Sequence, residues 1–110
     1  MEIKINNEVF NTEIMKTYDE IRKGMMWREN LDGCMLFDMG RGVHTFWMRN
    51  CLIPLDIVFV FNKKISKIYP NCQPCDLNCD QKYTGMGEYV LEFPSNTSQN
   101  FKVGDKVLFL

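Results

Sequence analysis

The sequence is sparing with the residues that most chemistries need. It has one histidine, His44, so any Cys/His or imidazole-based acid–base pair must be built on that residue. Its 13 Lys and Arg stand against 14 Asp and Glu, a net charge of −1, which excludes the basic surface of a general nucleic-acid binder. The longest apolar stretch, Leu55–Phe61, is broken by Asp56 and is about a third of the roughly 20 residues that span a bilayer. No basic segment followed by an apolar run opens the chain, because Met1-Glu2-Ile3-Lys4-Ile5 alternates from its first residues; a cytoplasmic protein without membrane contact is expected. Repeats, low-complexity tracts and Pro/Gly-rich linkers are missing. Gly40-Arg41-Gly42 lacks the strand-to-helix setting of a phosphate-binding loop.

What remains is the material of a single domain over residues 1–110. A folded monomer of 13.0 kDa exposes roughly 6,300 Å² and buries about two-thirds of its extended surface, enough for one core. A 45% hydrophobic and 13% aromatic content is incompatible with intrinsic disorder. Thr17-Tyr18-Asp19-Glu20 has the form of a capping box and Gly24 stands at a C′ position, which predicts one short helix over residues 18–23. Short β-branched or aromatic runs at 3–5, 9–15, 35–37, 45–49, 55–61, 64–69, 89–93 and 106–110 predict strands. Asn62-Lys63 reads as a tight hairpin connection, and Ser95 after Pro94 as the cap of a second helical turn. The pattern predicts a mostly β fold, an antiparallel β-sandwich or jelly-roll-like barrel.

The densest signal runs from His44 to Val60, with Phe46-Trp47-Met48-Arg49-Asn50-Cys51-Leu52-Ile53-Pro54-Leu55-Asp56-Ile57 at its centre. This stretch resembles the F-W-M-K-N-T-L-I-P-L-D-I signature of the domain of unknown function 192 family. Gly24-Met25-Met26-Trp27-Arg28 is similar to its G-L-M-x-R segment and Met35-Leu36-Phe37 to its G-M-L-F segment. Pro74-Cys75 with Cys79 and Tyr83, Tyr89-Val90-Leu91-Glu92, and Val103-Gly104-Asp105 match further segments in order, so the resemblance covers about Thr17 to Val107. Cys34 stands where the family usually has glycine, Cys51 where it has threonine, and Cys72 has no usual counterpart; Ser95 to Val103 is shorter than the family helix there. The resemblance implies a small jelly-roll-like β domain and no established activity.

Period-2 alternation over Thr45–Arg49 places Thr45, Trp47 and Arg49 on one face. The next apolar strand, 55–61, reads as central and covered on both faces. A carboxylate in it, Asp56, needs a partner, and Arg49 across the 50–54 connection is one candidate, backbone amides of its own turn the other. His44, Trp47, Arg49, Asn50 and Asp56, with Arg28 closing the rim and Tyr83 beside it, make the candidate binding site for a small polar ligand or a protein partner. Cys72-Gln73-Pro74-Cys75 and Cys79 admit three readings: a turn shaped by cysteines with a Cys75–Cys79 disulfide carried over from exported relatives, a metal site completed by His44 or Cys51, or a redox pair. A non-enzymatic binding module without cofactor is expected, with a thiol- or metal-dependent enzyme on Cys72, Cys75 and Cys79 as the alternative. Glu88 and Glu92 fall on one strand face, where solvent-facing alternation accounts for them.

Overall fold

Runs of apolar or β-branched residues bounded by turns fold into seven strands: β1 (Glu2–Ile5), β2 (Glu8–Met15), β3 (Cys34–Phe46), β4 (Leu55–Phe61), β5 (Lys64–Cys72), β6 (Tyr83–Pro94) and β7 (Val107–Phe109). The computed structural model describes residues 1–110. All seven strands belong to one sheet in the order β5-β4-β6-β3-β2-β1-β7. The sheet curls until its two edge strands approach each other. Val107 N–H donates to the Lys63 carbonyl and Ile65 N–H to that of Asp105, both at 2.8 Å.

The fold is mostly β with one short helix, as the sequence predicts, but it departs from an all-antiparallel plan. β2 and β3 run parallel, from Thr12 opposite Cys34 to Met15 opposite Phe37. A parallel pair needs a long crossover, and the segment from Lys16 to Gly33, which carries the helix, supplies it. The expected strands at 35–37 and 45–49 are two halves of β3, bent where its register against β6 shifts between Asp38 and Gly42. β3 ends at Phe46, so Trp47–Arg49 lie in a connection. β6 intervenes between β3 and β4, and the segments flanking 47–54 are not neighbours.

Helix α1 (Tyr18–Lys23) stands on the capping box read from the sequence. Glu20 N–H donates to Thr17 Oγ1 at 3.2 Å, and Thr17 N–H to Glu20 Oε1 at 2.9 Å. Six residues are too few to hold a helix by propensity, so the cap matters. Thr17→Ala should cost about 1 kcal/mol in urea unfolding and Thr17→Ser much less; equal stability of all three proteins would show that packing alone holds α1. The Asn62-Lys63 turn has φ of 53° and 62°, the paired left-handed geometry of a tight hairpin.

β4 explains the two cores. Leu55, Ile57 and Phe59 enter a cluster with Met25, Met35, Phe37 and Met48. Val58 and Val60 enter another with Ile3, Ile5, Leu36 and Phe93. The strand is therefore covered on both faces, as its continuous apolar run requires. The exposed area, 6463 Å², matches the roughly 6,300 Å² expected from mass. No helix is long and apolar enough to cross a membrane.

Candidate functional site

The first core is roofed by three loops that hydrogen bonds sew together. Trp27 N–H, just after α1, donates to the Asn50 carbonyl at 2.9 Å, and Met26 bridges to Cys51. Asn50 N–H donates to the Cys75 carbonyl at 2.8 Å, and Cys75 N–H returns to Met48 at 3.2 Å. Trp27 and Asn50 take φ of 65° and 59° where the loops cross. Asparagine adopts this left-handed backbone readily and tryptophan seldom does, so the crossing holds in place a Trp27 that is 63% exposed.

Between this roof and the sheet lies a pocket of about 890 Å³. Ile21, Met25 and Trp27 line it from the helix side, and Phe37, Phe46 and Trp47 from β3 and its continuation. Exposed Asp19, Arg22, Lys23 and Arg49 also belong to its lining, as do the buried Cys51 and Glu92.

Glu92 is the chemically unusual member. It sits on β6 opposite Met35 of β3 and Ile57 of β4, only 4% exposed. It has no ion pair, since the one salt bridge in the molecule joins Arg28 to Glu13, and no hydrogen bond stabilises its charge. Burial alone pushes its pKa up to about 8. At neutral pH it is a neutral acid, able to donate as well as accept. Burial, then the Glu92 charge, pushes the Cys51 thiol up to about 12. Burial first also takes Cys72 to about 11. Neither thiol is a nucleophile near neutrality.

Of the residues singled out in the sequence, the structure gathers Trp47, Arg49 and Asn50 at the pocket. The Arg49 guanidinium lies 5.4 Å and Lys82 Nζ 4.9 Å from the Trp47 ring centroid, a cation–π arrangement that steadies the indole. The others are elsewhere. His44 Nε2 lies 2.6 Å from the Gly40 carbonyl at the bend of β3. Arg28 makes a two-pronged pair with Glu13, at 2.6 and 3.0 Å, which holds the Glu13 carboxyl below its usual range; Arg22 and Lys23 occupy the rim in its stead. Tyr83 stacks edge-on against Tyr69 at 5.2 Å. Asp56 is fully buried toward the other core and does not meet Arg49. Its carboxylate accepts N–H bonds from Asn71, Asn96 and Ser98 instead, because alternation along β4 turns it to the face opposite Leu55 and Ile57, away from the roof that carries Arg49.

The cysteine loop resolves into a Cys75–Cys79 disulfide, Cα–Cα 5.4 Å, and a buried Cys72 thiol. Cys72, Cys75 and Cys79 therefore form no metal-ligand set, and neither His44 nor Cys51 joins them. Since Cys75 hydrogen-bonds both Met48 and Asn50, the disulfide braces the pocket roof. Replacing Cys75 and Cys79 together with serine should cost no more than about 2 kcal/mol, the loop being short, while moving the amide resonances of Arg49 and Asn50. Unmoved resonances there would show that the brace is unnecessary.

Glu92 escapes the alternation reading because β6 is covered on both faces. Glu88 departs from it too: Oε1 accepts from Asn62 N–H at 3.0 Å and Oε2 is buried without a partner. The signal for Glu92 was present, a lone charge in Tyr89-Val90-Leu91-Glu92-Phe93, the same reasoning that marks Asp56. Arg22, Lys23 and Trp27 carry no such signal, since only tertiary packing brings α1 to the 47–51 chain.

The family model of DUF192, described as "Uncharacterized ACR", matches residues 1–109. The crystal structure of a protein of unknown function from Novosphingobium aromaticivorans DSM 12444 is similar with a TM-score of 0.87 and 32% identity, over 98% of this chain and 84% of that one. A "putative transcription regulator" from Sinorhizobium meliloti 1021 is similar with a TM-score of 0.87 and 23% identity, over 96% of this chain and 90% of that one. No curated protein matches significantly.

Proposed function

The chain belongs to the DUF192 family, and on that premise we propose that it is a non-enzymatic binding module that holds a small polar ligand in the pocket between α1 and β3. One observation carries the reading: Glu92, 4% exposed and without ion pair or hydrogen bond, lines a pocket of about 890 Å³. A carboxyl group without a protein partner at the wall of a pocket is left to whatever enters the pocket, and a ligand reaching it would satisfy it. Aromatic and apolar walls beside a set of charged and polar side chains, Asp19, Arg22, Lys23, Arg49, Asn50 and Glu92, give a small-molecule site both burial and groups that can fix a ligand's orientation. A jelly-roll-like classification suits the curled sheet, and three unpaired cysteines, Cys34, Cys51 and Cys72, suit a cytoplasmic setting.

The competing thiol-enzyme reading has weaker support, because Cys75 and Cys79 are bonded to each other and Cys72 is pushed up to about 11. The regulator description of the Sinorhizobium protein does not favour nucleic acid as a partner here, given the net charge of −1. Titration of labelled protein with neutral, anionic and cationic metabolites, followed by NMR and tryptophan fluorescence, tests the proposal. At least one class should shift the Trp27 and Trp47 indoles and Arg49 while leaving Tyr83 unmoved. A panel that moves none of the pocket resonances at millimolar concentration would overturn it.

A further inference from the structure

We propose that the ligand is an amphipathic organic monoanion, with its acid group held by Arg22, Lys23 and Arg49, an aromatic or apolar middle between the pocket walls, and a hydrogen-bond acceptor facing Glu92. The inference rests on the binding reading above and names its ligand class. Three observations lead to it.

The first is the charge of the pocket lining. Arg22, Lys23 and Arg49 outnumber Asp19, and the excess stays positive even with Glu92 ionised. A field of that sign draws in anions and repels cations. The second is the wall. Phe37, Phe46, Trp27 and Trp47 present aromatic surface, which suits a flat or apolar body. The third is the state of Glu92. The groups facing it add no positive charge: Met35 and Ile57 lie opposite on β3 and β4, and the thiols of Cys51 and Cys72 are themselves pushed up by burial. Arg22, Lys23 and Arg49 at the mouth favour the ionised form, but none acts on Glu92 strongly enough to offset its burial, which favours the proton up to a pH of about 8. A protonated carboxyl group with no acceptor of its own is a donor awaiting one. A cationic head would instead have to displace that proton and pass the positive mouth.

Four compounds separate these terms: 4-acetylbenzoate, which carries both the acid and the acceptor; 4-ethylbenzoate, which lacks the acceptor; 4-acetylbenzamide, which lacks the charge; and 4-(aminomethyl)benzoate, which replaces the acceptor with a cation. Calorimetric and NMR titrations at pH 6.5 should rank 4-acetylbenzoate first. Losing the carboxylate should weaken binding about tenfold and losing the carbonyl about fivefold. Between pH 6.5 and pH 9 the affinity of 4-acetylbenzoate should fall about tenfold, following the Glu92 proton, and that of 4-ethylbenzoate much less, by the loss of one positive charge in the pocket's excess alone. Glu92→Gln keeps an N–H donor, so it should bind 4-acetylbenzoate without the pH dependence; Glu92→Leu should treat 4-acetylbenzoate and 4-ethylbenzoate alike. Tighter binding of 4-(aminomethyl)benzoate, or an affinity for 4-acetylbenzoate that rises with pH, would overturn the ligand class and leave the binding module standing. Silence of Trp27 and Trp47 toward all four compounds and toward the wider metabolite panel would overturn both.

Discussion

Asp56→Ala should lower the unfolding free energy by about 3–6 kcal/mol, measured by urea denaturation followed through tryptophan fluorescence. The carboxylate is 0% exposed. Its Oδ1 accepts from Asn71 N–H at 2.8 Å and Asn96 N–H at 3.3 Å, and its Oδ2 accepts from Ser98 N–H at 2.8 Å. The three donors lie at the end of β5, in the turn after β6 and in the 3₁₀ turn Thr97–Asn100. Alanine would leave each donor short of a partner, at about 1–3 kcal/mol apiece, less what water recovers at the more open ones. Two of the three residues, Asn71 and Asn96, hold φ of 53° and 77°, so the carboxylate also fixes bends that the chain would otherwise relax. Asp56→Asn keeps one carbonyl oxygen but turns an N–H toward another, and should cost roughly half as much. Arg49 lies outside this network. A double-mutant cycle of Asp56→Asn with Arg49→Met should therefore be additive within about 0.5 kcal/mol. A loss below 1 kcal/mol for Asp56→Ala would mean that water takes over the three amides.

Local signals made much of the fold legible. The Thr17/Glu20 box, the Asn62-Lys63 turn and the apolar run of β4 act over a few residues, and each appears where its chemistry places it. The parallel pairing of β2 with β3 was not legible, because it depends on how an 18-residue crossover closes rather than on any side chain within it. The burial of Asp56 followed from its apolar neighbours, but its partners did not: they lie 15, 40 and 42 positions away. The same division holds at the pocket. Trp47, Arg49 and Asn50 belong to one distinctive stretch and could be named together. Arg22, Lys23 and Trp27 reach them only through the Trp27–Asn50 and Met26–Cys51 pairings, which no periodicity encodes.

Glu92→Gln should have the opposite sign, stabilising the protein by roughly 3–5 kcal/mol at pH 8.5 and by little at pH 5. Asp56 and Glu92 are equally hidden from water, at 0% and 4% exposure, yet one has three donors and the other none. Burial raises the Glu92 pKa from 4.5 to about 8 in the folded protein. Between those values the unfolded chain has released the proton and the folded chain still binds it, so unfolding becomes easier as pH rises, at about 1.4 kcal/mol per pH unit. Below the ordinary value both states are protonated, and above the folded value neither is, so the slope from this group is confined to that window. Glutamine removes it while keeping the shape, and any cost of its own unpartnered amide would apply at every pH. The difference between the two stability curves therefore reports the carboxyl group alone. Curves that stay parallel from pH 5 to pH 8.5 would show that some donor already reaches Glu92 in the free protein. Diverging curves would show a group kept at the expense of stability, the mark of a site shaped for something other than folding. Saturating 4-acetylbenzoate should then move the alkaline end of the window upward, because a ligand that needs the proton holds it more tightly.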